Sequence, residues 1–200
     1  MKHEFIRTHL TAYPFDNPHV KRIIAEEIRH HASKEQRDLV CCDPFANESF
    51  TTNYNQGQTW ITNDMNPNMP TMFHLEPNDF SAKILELQAE QKLELFDLML
   101  FDPPYNLSQL KIQYEGIGKN LKKWQTLRPF DKCKDELARA VKIGGTVISF
   151  GFGSRGFGKR RGFKRIALYN LEPSGTEYRY NVQVVVERKE YPTLDEFTSC

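Results

Sequence analysis

The chain has 200 residues, of which 39% are hydrophobic and 26% charged, and its formal net charge is +1. This composition is sufficient for one globular domain with an apolar core, and it excludes disordered and collagen-like chains. No apolar run approaches the roughly 20 residues that cross a bilayer, and the opening MKHEFIRTHL lacks the apolar middle of a signal peptide, so we expect a soluble, cytoplasmic protein without a membrane partner. The four cysteines show no CxxC spacing, and Cys41 and Cys42 lie in an apolar run, so we expect core thiols and no metal site.

Apolar runs alternate with helix-like stretches along the chain, which is typical of βαβ units and a mostly parallel sheet. The predicted elements in chain order are a helix over 20–32, strands over 38–42, 59–62 and 71–75, a helix over 81–92, a strand over 96–101, a helix over 130–141, and strands over 146–150, 166–170 and 178–187. The last two strands flank a Glu-Pro-Ser-Gly turn and predict an antiparallel hairpin. The sequence thus predicts one α/β domain over residues 1–200, with a doubly wound, mostly parallel sheet and an antiparallel C-terminal hairpin.

Acidic residues follow the ends of the first four predicted strands, at Asp43, Asp64, Asp79 and Asp102. Ligands bind at this edge of an open α/β sheet, beside the point where the strand order reverses. Aspartate is also a common turn and cap residue, so one such residue would mean little. Four in succession predict a ligand pocket at this edge.

The turn Asp102-Pro103-Pro104-Tyr105 closes the predicted strand over 96–101. Its prolines stiffen the chain, with Pro104 shaping the turn, and the Asp102 carboxylate and Pro103 carbonyl offer two acceptors beside the Tyr105 ring. These groups suit an exocyclic amine, whose two hydrogens they can accept while the ring stacks on the attached base and the nitrogen lone pair faces an electrophile. The alternative is a Pro-Pro turn that only ends a strand.

The middle of the chain is cationic, because residues 106–165 contain fifteen Lys or Arg and four Asp or Glu, whereas the rest contains twelve and twenty-two. The sequence predicts two loops, 106–128 and 151–165. Both follow strands that end at the predicted pocket, and we expect them to face the substrate and to contact phosphates. The predicted contacts are Lys119, Lys122, Lys123, Arg155, Lys159, Arg160, Arg161, Lys164 and Arg165, with Phe152, Phe157 and Trp124 as stacking groups. Glycines would keep 151–165 mobile; the alternative is a solvated loop with its aromatic residues packed on the domain.

Four motifs resemble a known family. They are Asp43-Pro-Phe-Ala46, Asn63-Asp-Met-Asn-Pro67, Asp102-Pro-Pro-Tyr105 and Lys142-Ile-Gly-Gly145. Their order and approximate spacing resemble those of class I S-adenosylmethionine-dependent amino-methyltransferases of the DPPY type, the N6-adenine and N4-cytosine DNA methylases, over 13–189. The string at 149–163 resembles compact phage and prokaryotic members. The resemblance implies a Rossmann-like methyltransferase sheet, S-adenosylmethionine as cofactor, DNA as partner, and a prokaryotic or virus-infected host cytoplasm.

The resemblance also implies roles for individual residues. The family positions that hold the cofactor correspond here to Tyr13, Phe15, Asp43, Pro44, Phe45, Ala46, Asp64, Met65, Asp79, Phe80 and Asp102. In the family, the first motif holds the methionine part, the acid that matches Asp64 holds the ribose hydroxyls, and the pair that matches Asp79 and Phe80 holds the adenine. One departure is Asn47-Glu-Ser49, which stands where the family usually has Gly-Ser-Gly.

The Asp form of the catalytic motif is commoner in adenine methylases, so the resemblance implies a site-specific, adenine-specific DNA methyltransferase. A sulfonium methyl group is a strong electrophile, so the protein needs to bind it, exclude water and align the amine of a flipped base. The same chemistry on cytosine N4, an RNA base or a protein glutamine remains an alternative, as does a non-catalytic nucleic-acid-binding protein with this fold. No region is left for a separate target-recognition domain, so specificity is expected from short loops, a homodimer or a specificity subunit.

Overall fold

The computed structural model describes residues 1–11, 14–47, 57–121, 130–175 and 180–193. Within these ranges, seven strands form one sheet: β1 (Lys2–Thr8), β2 (Leu39–Asp43), β3 (Gln58–Thr62), β4 (Phe96–Phe101), β5 (Val141–Gly151), β6 (Phe163–Pro173) and β7 (Val182–Lys189). The helices are α1 (Pro18–Ala32), α2 (Pro77–Ala89), α3 (Leu107–Gly116) and α4 (Asp131–Ala140), with 3-10 turns at Pro14–Asp16 and Lys159–Arg161. None of the described helices has the length and apolar character needed to span a membrane.

The strand order is β1-β6-β7-β5-β4-β2-β3. Strands β3, β2, β4 and β5 pair in parallel, whereas β7 is antiparallel to both β5 and β6. The predicted fold class, a mostly parallel α/β sheet with an antiparallel C-terminal hairpin, is confirmed. From β2 the chain first adds β3 on one side and then β4 on the other, so the strand order reverses between β2 and β4, and a cleft is expected at their carboxyl ends.

Helices cover both faces of the sheet, which is therefore doubly wound as predicted. Helix α1 packs on one face through Val20, Ile23 and Ile24, and α2 and α4 pack on the other. Successive side chains of a strand point to opposite faces. Cys41 accordingly lies in the first of these cores and Cys42 in the second, both fully buried, as predicted.

The third predicted strand, over 71–75, is wrong. It is reduced to a single bridge between Asn63 and Phe73, because the segment lies between Pro70 and the start of α2 at Pro77 and its backbone is held by side chains instead. The Met72 N–H donates to the Thr62 hydroxyl at 3.0 Å. Strand β1 was not predicted from the sequence, and it pairs in parallel with β6.

A buried ion cluster joins β2, β4 and β5 at the edge of the sheet opposite the cleft. The Asp97 carboxylate is fully buried and accepts from the Val40 N–H at 2.8 Å and from the Arg37 guanidinium at 3.1 Å, and it also pairs with Lys142. Desolvation opposes the ionised form, but the hydrogen bonds from Lys142 and Val40 outweigh it and lower the pKa of Asp97. The charges at the edge of the sheet opposite the cleft therefore have a structural role, because they pair with one another around Asp97.

Candidate active site

A cavity of about 530 Å³ opens at the carboxyl ends of β2, β3 and β4, where the strand order reverses. Its size falls within the range of about 300–1,000 Å³ typical of small-molecule sites. The walls come from the turn after β2, the segment after β3, the Asp102–Tyr105 turn after β4, the start of α2, and α3. The pocket expected from the strand-end residues therefore exists at the predicted edge.

The Asp102-Pro103-Pro104-Tyr105 turn forms part of the cavity wall with all four residues. The Tyr105 hydroxyl donates a hydrogen bond of 2.6 Å to Oδ1 of Asp102, and the Tyr105 ring meets Phe152 edge-on at a centroid distance of 5.0 Å. Desolvation raises the pKa of Asp102 to about 7, although the hydrogen bond from Tyr105 lowers it in part. Asp102 is thus a hydrogen-bond acceptor that can also change its protonation state near neutral pH.

The turn after β2 presents only part of the predicted cofactor motif to the cavity. Pro44 and Phe45 line the cavity, whereas Asp43 and Ala46 are fully buried. Oδ1 of Asp43 accepts from the Phe45 N–H at 3.0 Å, and Oδ2 is buried with no hydrogen-bond partner among the described residues. Desolvation raises the pKa of Asp43 well above its usual value, and the carboxylates of Asp102 and Asp64 raise it further.

Asn63 holds the cavity wall together, a role that the sequence analysis missed. Its Nδ2 donates to the carbonyl oxygens of Pro44 and Leu75, both at 3.1 Å, and its Oδ1 accepts from the Leu75 N–H at 2.9 Å. Its backbone pairs with Asp43 and Ala46 at 2.9 Å. An amide can donate and accept at the same time, whereas a carboxylate can only accept. The sequence signal for this role was therefore an Asn, and not an Asp, directly after β3.

Asp64 and Met65 line the cavity directly after β3. The Asp64 side chain accepts from the Asn66 N–H at 2.7 Å, which fixes the turn. Desolvation raises the pKa of Asp64 from its usual value. The cavity therefore has carboxyl groups of Asp64 and Asp102 on its wall and a buried one, Asp43, behind it.

Besides Asp43 and Ala46, three predicted cofactor residues do not line the cavity, and one cannot be located. Asp79 is exposed in the first turn of α2, and Phe80 is fully buried against Phe73. Phe15 is also a core residue, packed edge-on against Phe150 at 5.2 Å. Leu75, before α2, and Pro77, at its start, line the cavity here instead, and the cofactor roles of Asp79, Phe80 and Phe15 stay predictions. Tyr13 lies outside the described residues.

Helix α3 forms the outer wall of the cavity in a segment that was expected to be a loop. Tyr114 of α3 is buried and its hydroxyl donates to Glu76, the residue before α2, at 3.3 Å, and Lys119 pairs with the same carboxylate at 3.4 Å. Desolvation, together with the Glu76 carboxylate, raises the pKa of Tyr114 to about 12. These contacts attach α3 to α2 across the cavity.

Most of the predicted phosphate contacts within the described residues have acidic partners on the protein. Arg160 and Arg161 both contact Asp135 of α4, at 3.3 and 2.7 Å, and Lys164 pairs with Glu190 at 2.9 Å. Arg165 donates to the Ser154 carbonyl oxygen. Arg155 and Lys159 are exposed and form no ion pair with any described residue, whereas Lys122, Lys123 and Trp124 lie outside the described part.

The glycine-rich segment after β5 is anchored where mobility was expected. The buried Glu187 carboxylate accepts from the Phe157 N–H at 2.5 Å and from the Gly158 N–H at 3.2 Å. A Cβ atom at Gly156 would overlap this carboxylate, so a larger residue there would displace it from these two hydrogen bonds. Phe157 is a core residue packed on Phe101 at 5.2 Å, which corrects its expected role as a stacking group.

The known proteins that resemble this chain are distantly similar to it. No protein-family model and no curated protein sequence matches the chain. TrmN from Thermus thermophilus is 15% identical with a TM-score of 0.41 over 82% of this chain, which spans 47% of TrmN. The N-methyltransferase NodS from Bradyrhizobium japonicum WM9 is 12% identical with a TM-score of 0.49, covering 88% of this chain and 99% of NodS. An rRNA methylase from Streptococcus thermophilus is 10% identical with a TM-score of 0.49, covering 84% of this chain and 96% of the methylase. At these values none of the comparisons supports an assignment of activity.

Proposed function

We propose that this protein transfers the methyl group of S-adenosylmethionine to the exocyclic N6 amine of adenine in DNA. The observation that carries the proposal is the Asp102–Tyr105 turn, which ends a buried strand and forms part of the cavity wall at the point where the strand order reverses. A carboxylate, a proline carbonyl and an aromatic ring therefore lie where an open α/β sheet binds its ligands.

The carboxyl groups around the cavity fit a cationic methyl donor. Burial raises the pKa values of Asp43, Asp64 and Asp102, and Asp43 also has a buried oxygen without a partner among the described residues. Carboxylates that are disfavoured by burial and by one another are stabilised by a nearby positive charge. S-adenosylmethionine carries a sulfonium and an ammonium group and, when bound, supplies an electrophilic methyl group.

We assign the donor to the side of the cavity formed by the turns after β2 and β3. Pro44 and Phe45 would contact its methionine part, and Asp64 would accept hydrogen bonds from its ribose hydroxyls. Asn63 fixes both turns relative to each other through its three side-chain hydrogen bonds. The apolar walls and α3 would keep water away from the reacting groups.

Asp102 would act on the acceptor amine. Its carboxylate and the Pro103 carbonyl would accept the two amine hydrogens, which favours a pyramidal nitrogen with its lone pair free to attack. With a pKa of about 7, Asp102 is also able to take the proton that the nitrogen releases after methylation. Tyr105 would stack on the base after its hydroxyl has released Asp102.

A DNA substrate is supported by the exposed cations that follow β5. A base within a duplex cannot reach a cavity at a sheet edge, so it would have to flip out. Arg155 and Lys159 follow β5, whose carboxyl end lies at the same edge, and both are exposed. They are the described cations best placed to contact phosphates, because Arg160 and Arg161 are paired with Asp135.

The test is incubation with S-adenosylmethionine labelled on its methyl group and with DNA, RNA or protein, followed by digestion and chromatography. We expect label in N6-methyldeoxyadenosine. Label only in N4-methyldeoxycytidine, in RNA or in protein would identify a different acceptor. Absence of label from DNA, RNA and protein would contradict the proposed activity. In that case, calorimetry that detects no binding of S-adenosylmethionine or its demethylated product would favour a non-catalytic protein.

Two variants separate the proposed roles. Asp102→Ala is expected to abolish turnover and to leave the Kd for S-adenosylmethionine within a few-fold, because it removes the amine acceptor. Asp64→Ala is expected to raise that Kd, because it removes a ligand for the ribose. A near-normal rate in Asp102→Ala would contradict the proposed mechanism.

A further inference from the structure

Gln109 is a cavity residue whose amide orientation is fixed by the chain itself. It lies on α3, four residues after Tyr105, and lines the cavity together with Asp102 and Pro103. Its backbone N–H donates to Oδ1 of Asn106, the N-cap of α3, at 2.9 Å, and its own Oε1 accepts from the Tyr105 N–H at 2.7 Å. Because Oε1 must be the acceptor of that backbone donor, the other end of the amide is the NH2 group.

The NH2 group of Gln109 is available to a ligand. Among the described residues, no acceptor lies within hydrogen-bond distance of Nε2, although the residue is half-buried. Nε2 is not one of the fully buried atoms that lack a partner, so solvent reaches it, and an acceptor on a bound ligand would replace water there. The site therefore has acceptors at Asp102 and Pro103 and a donor at Gln109, all on the wall of one cavity.

We propose that Gln109 donates a hydrogen bond to the ring nitrogen that flanks the target amine and thereby selects the acceptor base; this inference rests on the proposed function. Adenine presents its N6 amine between two ring acceptors, N1 and N7. Thymine and the O6 edge of guanine present a carbonyl where adenine has the amine, and an alkyl amine has no flanking acceptor. Gln109 is then a specificity-determining residue that distinguishes an aminopyrimidine edge from these alternatives.

Gln113 provides a matched control on the same helix. It lies one turn after Gln109 and lines the same cavity. It is exposed, and no hydrogen bond joins its amide to the Asp102–Tyr105 turn. Its orientation is therefore not set by the described part of the chain, and it has the same side chain without the same anchoring.

The experiment is a cycle of protein and substrate changes. The substrate is a synthetic DNA duplex that carries the sequence methylated by the wild type, as identified by mapping methylated bases in DNA. Its target adenine is either intact or replaced by 1-deazaadenine or 7-deazaadenine. Each analogue has a CH group in place of one ring nitrogen. The value of kcat/KM is measured for the wild type, Gln109→Glu, Gln109→Met and Gln113→Met. Gln109→Glu keeps the oxygen that accepts from Tyr105 and loses the donor, whereas Gln109→Met loses both.

We expect the wild type to prefer adenine to one of the two analogues by roughly tenfold, the effect of one hydrogen bond in a partly buried site. Relative to the wild type, that ratio should fall by roughly tenfold in both Gln109 variants and persist in Gln113→Met. Intrinsic differences in amine reactivity between adenine and its analogues cancel, because each analogue is compared across proteins.

Three results would overturn the inference. They are an unchanged ratio in the Gln109 variants, a ratio lost in Gln113→Met but kept in the Gln109 variants, and equal use of adenine and both analogues by the wild type. The last arm needs no variant, so it remains decisive if a Gln109 variant does not fold. Failure of the wild type to methylate any DNA would instead contradict the proposed function, so the two failures are distinguishable.

Discussion

The hydrogen bond between Tyr105 and Asp102 leads to a quantitative prediction for Tyr105→Phe. The substitution keeps the aromatic ring and removes the hydroxyl that donates to Oδ1 of Asp102 at 2.6 Å. A hydrogen bond to a charged group contributes about 1.5–3 kcal/mol, and one pKa unit corresponds to about 1.4 kcal/mol. Because Asp102 is half-buried and solvent screens part of this interaction, we take the lower end. The pKa of Asp102, about 7 in the wild type, should rise by roughly one unit.

The assay is the pH dependence of kcat/KM, which reports the free enzyme. Ionised Asp102 is the better acceptor for the amine and predominates above its pKa, so kcat/KM of the wild type should fall as the pH decreases through about 7. In Tyr105→Phe this fall should begin about one pH unit higher. An acidic limb at the same pH in both proteins would refute the reasoning. A rate lost equally at every pH would show that the hydroxyl acts otherwise than through the ionisation of Asp102.

Three further predictions concern stability and DNA contact. Gly156→Ala should lower the free energy of unfolding in urea by about 1–3 kcal/mol, because the new Cβ overlaps a buried carboxylate. Asp102→Asn should stabilise the protein above pH 7 and not at pH 4. The pKa of Asp102 is about 7 in the folded chain instead of 3.8, so the wild type loses stability as the pH rises between these two values. Thermal melts at both pH values would show whether the variant avoids that loss. Arg155→Ala with Lys159→Ala should make the slope of log K against log salt less steep by about 2, whereas Arg160→Ala should leave it unchanged; equal slopes in all of these proteins would remove Arg155 and Lys159 from the phosphate contacts.

The sequence predicted the sheet well where periodicity and burial agree. Strand β4 is entirely buried and was predicted at 96–101, as observed, and the hairpin of β6 and β7 was recognised from its turn sequence. The third strand failed because a short apolar run between prolines is better held by the side chains of Thr62 and Asn63 than by a ladder. Strand β1 was missed because its pairing with β6 joins opposite ends of the chain, which no local pattern reveals.

The candidate site was predictable in its position and less so in its contacts. Carboxyl ends of parallel strands share an edge, so the placement of Asp64 and Asp102 followed from strand order alone. Asp79 and Phe80 could not be placed, because the start of α2 is set by Pro77 and turns those side chains to solvent and to the core. The partners of Arg161 were also beyond sequence reasoning, since Asp135 lies on a different element.

The proposed function requires a protein with a net charge of +1 to bind both a cationic donor and a polyanion. Asp64 and Asp102 line the cavity and Asp43 is buried behind it, all with raised pKa values, so a bound cationic donor would stabilise their ionised forms. The exposed cations Arg155 and Lys159 lie outside this cavity lining and are free of acidic partners among the described residues. Because opposite charges are separated between cavity and surface, the two proposed ligands would not compete for the same side chains, and in the proposed mechanism the methyl group and the amine would meet at Asp102.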